Sequence, residues 1–164
     1  MIGRAMRPVV FLALLLLPAV AAAGFEEGVD AYLRGEYARA RTEWTPLAER
    51  GNAQAAYNLG RMRELGLDGP ADAAAAARWY LEAAERGHAE AQRALAQLLA
   101  EGKGELDEPA EAAFWFTLAA RAWPADSPAR RLIDFQLGRL KARLGDDAFA
   151  EAEARAAAWS PRRD

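Results

Sequence analysis

Residues 78–88 read RWYLEAAERGH, and the tetrapeptide AERG inside this stretch (84–87) also occupies residues 48–51, 36 positions earlier. The same shift superposes Gly51 on Gly87, Ala55 on Ala91, Leu59 on Leu95, Gly66 on Gly102, Ala76 on Ala112 and Trp79 on Trp115. It also places Tyr80 on Phe116, Ala83 on Ala119 and Ala84 on Ala120; run backwards, it maps Ala76 onto Ala40, Tyr80 onto Trp44 and Ala84 onto Ala48. An alanine-rich chain produces a few such matches by chance, but not Trp, Gly and Leu in phase. Self-similarity at this period marks a repeat array.

Each unit reads as two helices. Ala55, Leu59 and Met62 lie at i, i+4 and i+7 on one helix face. Gly66-Leu67-Asp68-Gly69-Pro70 is a turn. Asp72 stands at an N-cap, where its carboxylate accepts from free N–H groups of the next turn. Ala76, Trp79, Tyr80, Ala83 and Ala84 then form the apolar stripe of a second helix, and Gly87 closes it in a left-handed conformation. Asn52, and its counterpart His88, follow the closing glycines as caps of the next helix. AERG is therefore a helix end: the small Ala admits a neighbouring helix, and Gly turns the chain. One helix pair cannot bury its apolar face alone, so pairs stack into a solenoid.

This period and phasing resemble the Sel-1-like repeat family, relatives of the tetratricopeptide repeats. The first full unit matches through Ala55, Leu59, Gly60, Gly66, Asp72, Ala76, Trp79, Tyr80, Ala83, Ala84 and Gly87. The second matches through Ala91, Leu95, Gly102, Gly104, Ala112, Trp115, Phe116, Ala119 and Ala120. A shortened first unit, GEYARARTEWTPLAERG, matches through Gly35, Ala40, Trp44, Leu47, Ala48 and Gly51. The chain departs from the family where Arg63 and Leu99 replace Tyr, where Asp68-Gly69 replaces Gly-Val, and where Trp123 replaces the closing Gly. The resemblance implies an all-α, right-handed solenoid of stacked antiparallel helix pairs. It also implies a non-catalytic scaffold or adaptor, of a kind often exported by bacteria. A cysteine-rich branch is linked to β-lactam binding, but this chain has no Cys.

The termini complete the plan. Residues 1–23 combine Arg4 and Arg7, an apolar run Val9–Leu17, Pro18, and Ala21-Ala22-Ala23. This is the pattern of a secretory signal peptide cleaved after Ala23, with an apolar run short for a membrane span. Cleavage removes two Arg and no acid, moving the formal charge from −3 to −5. That argues against nucleic acid and anionic membrane surfaces as partners. An exported chain without Cys has no disulfides, so helix packing must supply its stability. The expected organisation is a solenoid over 24–159, with a short unit at 25–50, repeats at 51–86 and 87–123, a C-terminal capping helix pair at 127–159, and a loose tail at 160–164. In the cap, Ser127-Pro128 starts a helix with Ile133, Leu137, Leu140 and Leu144 at helical spacing, and Phe149, Ala152, Ala156 and Trp159 stripe the last helix. Its charged outer face suits a terminal cap; a dimerisation hairpin is the alternative.

Signals for chemistry are scarce. The single His is His88, a cap, and Ser127 and Ser160 both precede Pro at helix boundaries. No Ser-His-acid arrangement, transition-metal ligand set, phosphate loop or dinucleotide fingerprint is written here, so no catalytic residue, metal or cofactor is expected. Carboxylate pairs for glycoside cleavage remain open, though nothing singles one out. Trp79, Trp115, Tyr80 and Phe116 recur with the period and read as core. So do the repeat positions Gly51, Leu59, Ala84, Gly87, Leu95, Gly102 and Ala120. Off the core stripe of the first helices lie Tyr57, Asn58, Arg61, Arg93 and Gln97. They are expected to form a concave groove for a protein or peptide, with Arg pairing to a carboxylate and Tyr57 as an anchor. The expected function is that of an exported, monomeric, periplasmic or secreted scaffold for an envelope protein. Peptidoglycan binding, or a cell-wall-active or β-lactam-interacting role, is the alternative.

Overall fold

The computed structural model describes residues 17–103 and 107–163, with side chains from Gly24 onward. Residues 1–16 of the expected leader, Gly104 and Asp164 lie outside the described residues. The described residues form eight helices and no strand: α1 (Leu17–Leu33), α2 (Tyr37–Glu49), α3 (Ala53–Leu65), α4 (Ala73–Glu85), α5 (Ala89–Glu101), α6 (Pro109–Ala120), α7 (Pro128–Leu144) and α8 (Asp146–Ala158). Successive helices pack in pairs, α1 on α2 through α7 on α8. The pairs stack through α2 on α3, α4 on α5 and α6 on α7, with α8 also against α6. This is the expected solenoid.

The AERG junction explains how one pair hands over to the next. Gly87 takes φ +85°; its N–H donates to Ala84 O at 2.9 Å, and the His88 N–H donates to Ala83 O at 3.1 Å. Gly51 (φ +89°) repeats both bonds with Ala48 at 2.9 Å and, through Asn52, Leu47 at 3.0 Å. These paired bonds satisfy carbonyls that a helix end would otherwise leave unmet. The following residue then caps the next helix. Asn52 Oδ1 accepts from Ala55 N at 2.9 Å, and His88 Nδ1 accepts from Ala91 N at 3.2 Å. Asp72 caps α4 through Ala75 N at 2.8 Å, and Ser127 caps α7 through Arg130 N at 3.2 Å. The α7–α8 junction differs: Gly145 ends one helix and precedes the other without a side-chain cap. Asp146 and Asp147 occupy the first turn of α8, where negative charge suits the helix dipole.

Within a pair, an aromatic ring of the second helix lies in a notch of the first. Tyr80 is fully buried, and a Cβ placed on Gly60 would stand 2.5 Å from its Cδ1. Gly28 and Trp44 repeat this contact between α1 and α2. Gly28 precedes Gly60 by 32 residues, not 36, because the α1–α2 connection (34–36) is four residues shorter than the α3–α4 connection (66–72). The rings' polar atoms are satisfied: Tyr80 OH donates to Glu64 Oε2 at 2.6 Å, and Trp44 Nε1 donates to Phe25 O at 3.2 Å. Leu59, Ala84, Leu95, Trp115, Phe116 and Ala120 are buried, as the repeat required.

Three features differ from expectation. Trp79 is only half-buried and lines a hollow of about 230 Å³ with Arg41, Arg63 and Asp68. The Asp68 side chain there is 2% exposed, 2.9 Å from Arg41 Nε, and its Oδ1 is 3.7 Å from Arg63 Nη1. Neither approach is aligned as a hydrogen bond, so the contact is an ion pair that ties the α3–α4 turn to α2. Two departures from the family pattern, Arg63 and Asp68, thus meet. Second, the tail is not loose. Arg162 N–H donates to Glu85 O at 2.7 Å, its guanidinium reaches Glu85 and Glu82 at 2.6 Å each, and Trp159 meets Trp115 edge to face. Third, the cap is not uniformly polar, for α7 exposes Leu132 and Phe135.

Two glycine substitutions separate helix propensity from packing. A helix-interior Gly→Ala gains about 1 kcal/mol when nothing clashes. A Cβ on Gly138 would meet nothing within 4 Å, so Gly138→Ala should raise stability by that amount in urea unfolding. Gly60→Ala should lower it by about 1–3 kcal/mol, because the ring of Tyr80 must move.

Candidate binding surface

The arc of α3 and α5 opposite their main packing stripes carries all five expected groove residues. Packing uses the opposite arc of each helix, through Ala55, Leu59 and Met62 on α3 and Ala91, Leu95 and Leu98 on α5. Positions 54, 57, 58 and 61, and positions 90, 93, 94 and 97, are left on the other arc by the helical repeat.

The five residues do not converge on one pocket. Asn58 and Arg61 border a hollow of about 100 Å³ with Val29 and Tyr32 of α1 and Trp44 of α2. Gln97 belongs to a second hollow of about 400 Å³ between α5 and α7, lined also by Ala100, Glu101, Gln136, Arg139 and Arg143. There its Oε1 accepts from Gln136 Nε2 at 3.2 Å, and its amide donates to Glu101. Glu101 also receives the Lys103 ammonium, and these two bonds hold its carboxyl below the usual range. Arg93 is half-buried on α5 and borders neither hollow.

Tyr57 is a wall rather than a protruding anchor. Its ring stacks on His88 with centroids 4.7 Å apart and planes at 25°, and it lies 5.8 Å from Tyr80. His88 Nε2 lies 3.0 Å from Gln54 Oε1, and Gln54 Nε2 donates to Asn58 Oδ1 at 3.2 Å. A polar chain therefore runs from the α5 cap across the face of α3.

Charge on this surface is unevenly matched. Glu64 receives Tyr80 OH, which together with burial pushes the Tyr80 hydroxyl well above the ordinary tyrosine range, burial being the larger cause. Glu90 stands 3.7 Å from His88 Nδ1. Arg61 and Arg93 make neither an ion pair nor a side-chain hydrogen bond among the described residues. No group of three or more His, Cys, Asp or Glu positioned for a metal occurs among them. Ser127 is spent on its cap, and both nitrogens of His88 are engaged. Sequence reasoning missed the contribution of α7. Arg131, Leu132, Phe135 and Arg139 share its exposed arc, and the only signal was their position off the Ile133–Leu140 stripe.

His88 makes the junction titratable. Accepting from Ala91 N–H at Nδ1 requires a neutral ring with its proton on Nε2, which donates to Gln54. Burial lowers its pKa below the usual histidine value, against a smaller opposing pull from Glu90. The unfolded chain therefore binds this proton first. Stability should be flat in this respect above about pH 6.5, fall as pH drops from there to the folded value, and level off below it. His88→Asn, which copies the cap of Asn52, should remove that fall. Unfolding free energies of the two proteins, compared across this window, check it; parallel curves would refute it.

The Sel1 repeat model matches residues 53–88 and 89–122. These units start at the first residues of α3 and α5, two residues after the glycines that open the units at 51 and 87. Among solved structures, one of a protective antigen present in uropathogenic Escherichia coli strains, described as displaying an SLR fold, is similar over 85% of this chain, with 25% identity and a TM-score of 0.64. The chain spans 30% of that protein's length. No curated protein matches significantly. The helix pairs, their junctions and both matched units agree: the chain carries two Sel1 repeats within an all-helical solenoid, and such repeats suggest a protein-interaction scaffold.

Proposed function

We propose that the mature chain, residues 24–164, is an exported, non-enzymatic scaffold that holds a protein or peptide of the cell envelope on the inner face of α3 and α5. The observation that carries this reading is the pair Arg61 and Arg93, which form no ion pair among the described residues of a chain of net negative charge. A guanidinium without a partner is ready to receive a carboxylate in the bidentate geometry that orients a ligand. The leader pattern supports export. Phe25, Gly28, Ala31 and Tyr32, through which α1 packs on the core, all lie after Ala23, so cleavage there would keep them. No described helix is long and apolar enough to cross a membrane.

Capture of envelope proteins on residues 24–164 tests the reading, with Arg61→Glu/Arg93→Glu as control. A prey retained by the wild type and lost by the variant, with unchanged thermal melting, is the expected result. A prey kept by both would move the site off this face. No prey, with binding to isolated cell-wall sacculi, would favour the peptidoglycan reading.

A further inference from the structure

Among the described residues five large hydrophobic side chains are exposed: Leu33, Leu65, Leu81, Leu132 and Phe135. Only on α7 do two of them sit within one turn of each other, Leu132 at 52% and Phe135 at 63% exposure. Arg131 and Arg139 lie on the same arc. The Arg131 guanidinium donates to the Asp126 carbonyl and that of Arg139 to Gln136 Oε1 at 3.4 Å. Neither forms an ion pair among the described residues. The other cations of α7 are matched: Arg130 to Asp134 at 2.8 Å, Lys141 to Asp146 at 3.2 Å and Arg143 to Asp107 at 2.6 Å. The Gln136–Gln97 bond joins this arc to the face of α5, and a Cβ at Gly138 would meet nothing. The strip is thus apolar at its centre, positive at its edges, open, and continuous with Gln97.

We propose that this face of α7 completes the binding surface and receives an acidic segment of a partner protein, one apolar side chain of which seats against Leu132 and Phe135. The inference rests on the inner face being the interaction surface. Charge decides the occupant. A second copy docked α7 to α7 would set Arg131 and Arg139 against themselves, and like charges brought together are unfavourable. An anionic lipid surface would meet a chain whose net charge is −3. A flat bilayer faces that whole chain, whereas an extended acidic segment is narrow enough to meet only the strip, whose unpaired charges are Arg131 and Arg139; a carboxylate beside a guanidinium next to an apolar anchor is the arrangement that concentrates binding energy.

A random-peptide display library, selected on the protein, reads the preference without a known ligand. The wild type should enrich peptides with clustered Asp or Glu and one Leu, Phe or Trp. A synthesised, enriched peptide should bind about tenfold or more weakly to Arg131→Glu/Arg139→Glu, and more weakly as ionic strength rises. Phe135→Ser should relax the demand for the apolar residue while leaving the acidic preference. All three positions are exposed, so unchanged melting verifies folding. Peptides that bind the α7 variants normally but lose Arg61→Glu/Arg93→Glu would overturn this inference and keep the α3–α5 reading. Enrichment of neutral or basic peptides, no enrichment, or vesicles of anionic lipid bound through Arg131 and Arg139 would each overturn it as well. Envelope capture decides the scaffold reading independently.

Discussion

The contact on which the rest of the solenoid depends is the ring of Tyr80 lying against the bare backbone of Gly60, with Trp44 and Gly28 as its counterpart one pair earlier. A side chain at either glycine would hold the two helices apart. With none, the ring fills the space that a Cβ would claim, and the full burial of a large aromatic contributes about 2–3 kcal/mol. The approach also sets what the tyrosine needs. A buried hydroxyl must find a partner, and Glu64, one turn after Gly60, supplies it at 2.6 Å. The aromatic, the glycine and the acid act as one unit, and their spacing fixes how each pair closes.

Between pairs the requirement changes from size to backbone geometry. Ala48 and Ala84 are buried without remainder, and the glycine that follows each closes the helix with φ near +85–89°. The residue after the glycine must then cap the next helix, and here the two junctions diverge. Asn52 caps with an amide. His88 caps with a ring nitrogen, and the rest of its ring covers Tyr57. One substitution within a repeated junction thus links helix capping, proton binding and the shape of the inner face.

The repeat period, the all-α class, the junction glycines, the caps at Asn52, Asp72 and Ser127 and the buried stripe were legible in the sequence, because each depends on contacts a few residues apart or on strict periodicity. What escaped was non-local or aperiodic. Gly28 was invisible because a shorter α1–α2 connection put it out of phase. The pairing of Asp68 with Arg41 and Arg63 joins residues that look like unrelated departures in a linear reading. The docking of Arg162 on Glu82 and Glu85 spans some 80 residues, and nothing local distinguishes it from a charged tail. Of the groove, residue membership on one face was readable from helical spacing. The division into two hollows, and the burial of Tyr57 beneath His88, depend on neighbouring helices.

The same logic says where this scaffold is free to vary. On the outer side, ion pairs cross between elements: Arg155 meets Glu111, Arg162 meets Glu82 and Glu85, and Arg41 with Arg63 meets Asp68. Several of these are shared, as Glu82 is between Arg86 and Arg162, and losing both arginines beside Asp68 would leave a buried carboxylate unpaired, which is costly. On α3, α5 and α7 the packing residues are small or apolar, and four of the arginines beside them form no ion pair among the described residues. Arg61, Arg93 and Arg131 can be exchanged without breaking an ion pair among the described residues, whereas Arg139 adds a small pull on Glu101. A repeat built this way keeps its architecture in the notches and junctions and leaves the remaining arc free of packing duties. Two Sel1 repeats with the same skeleton can therefore differ freely on that arc, and the side chains exposed on α3, α5 and α7 are the part of this chain that its packing does not dictate.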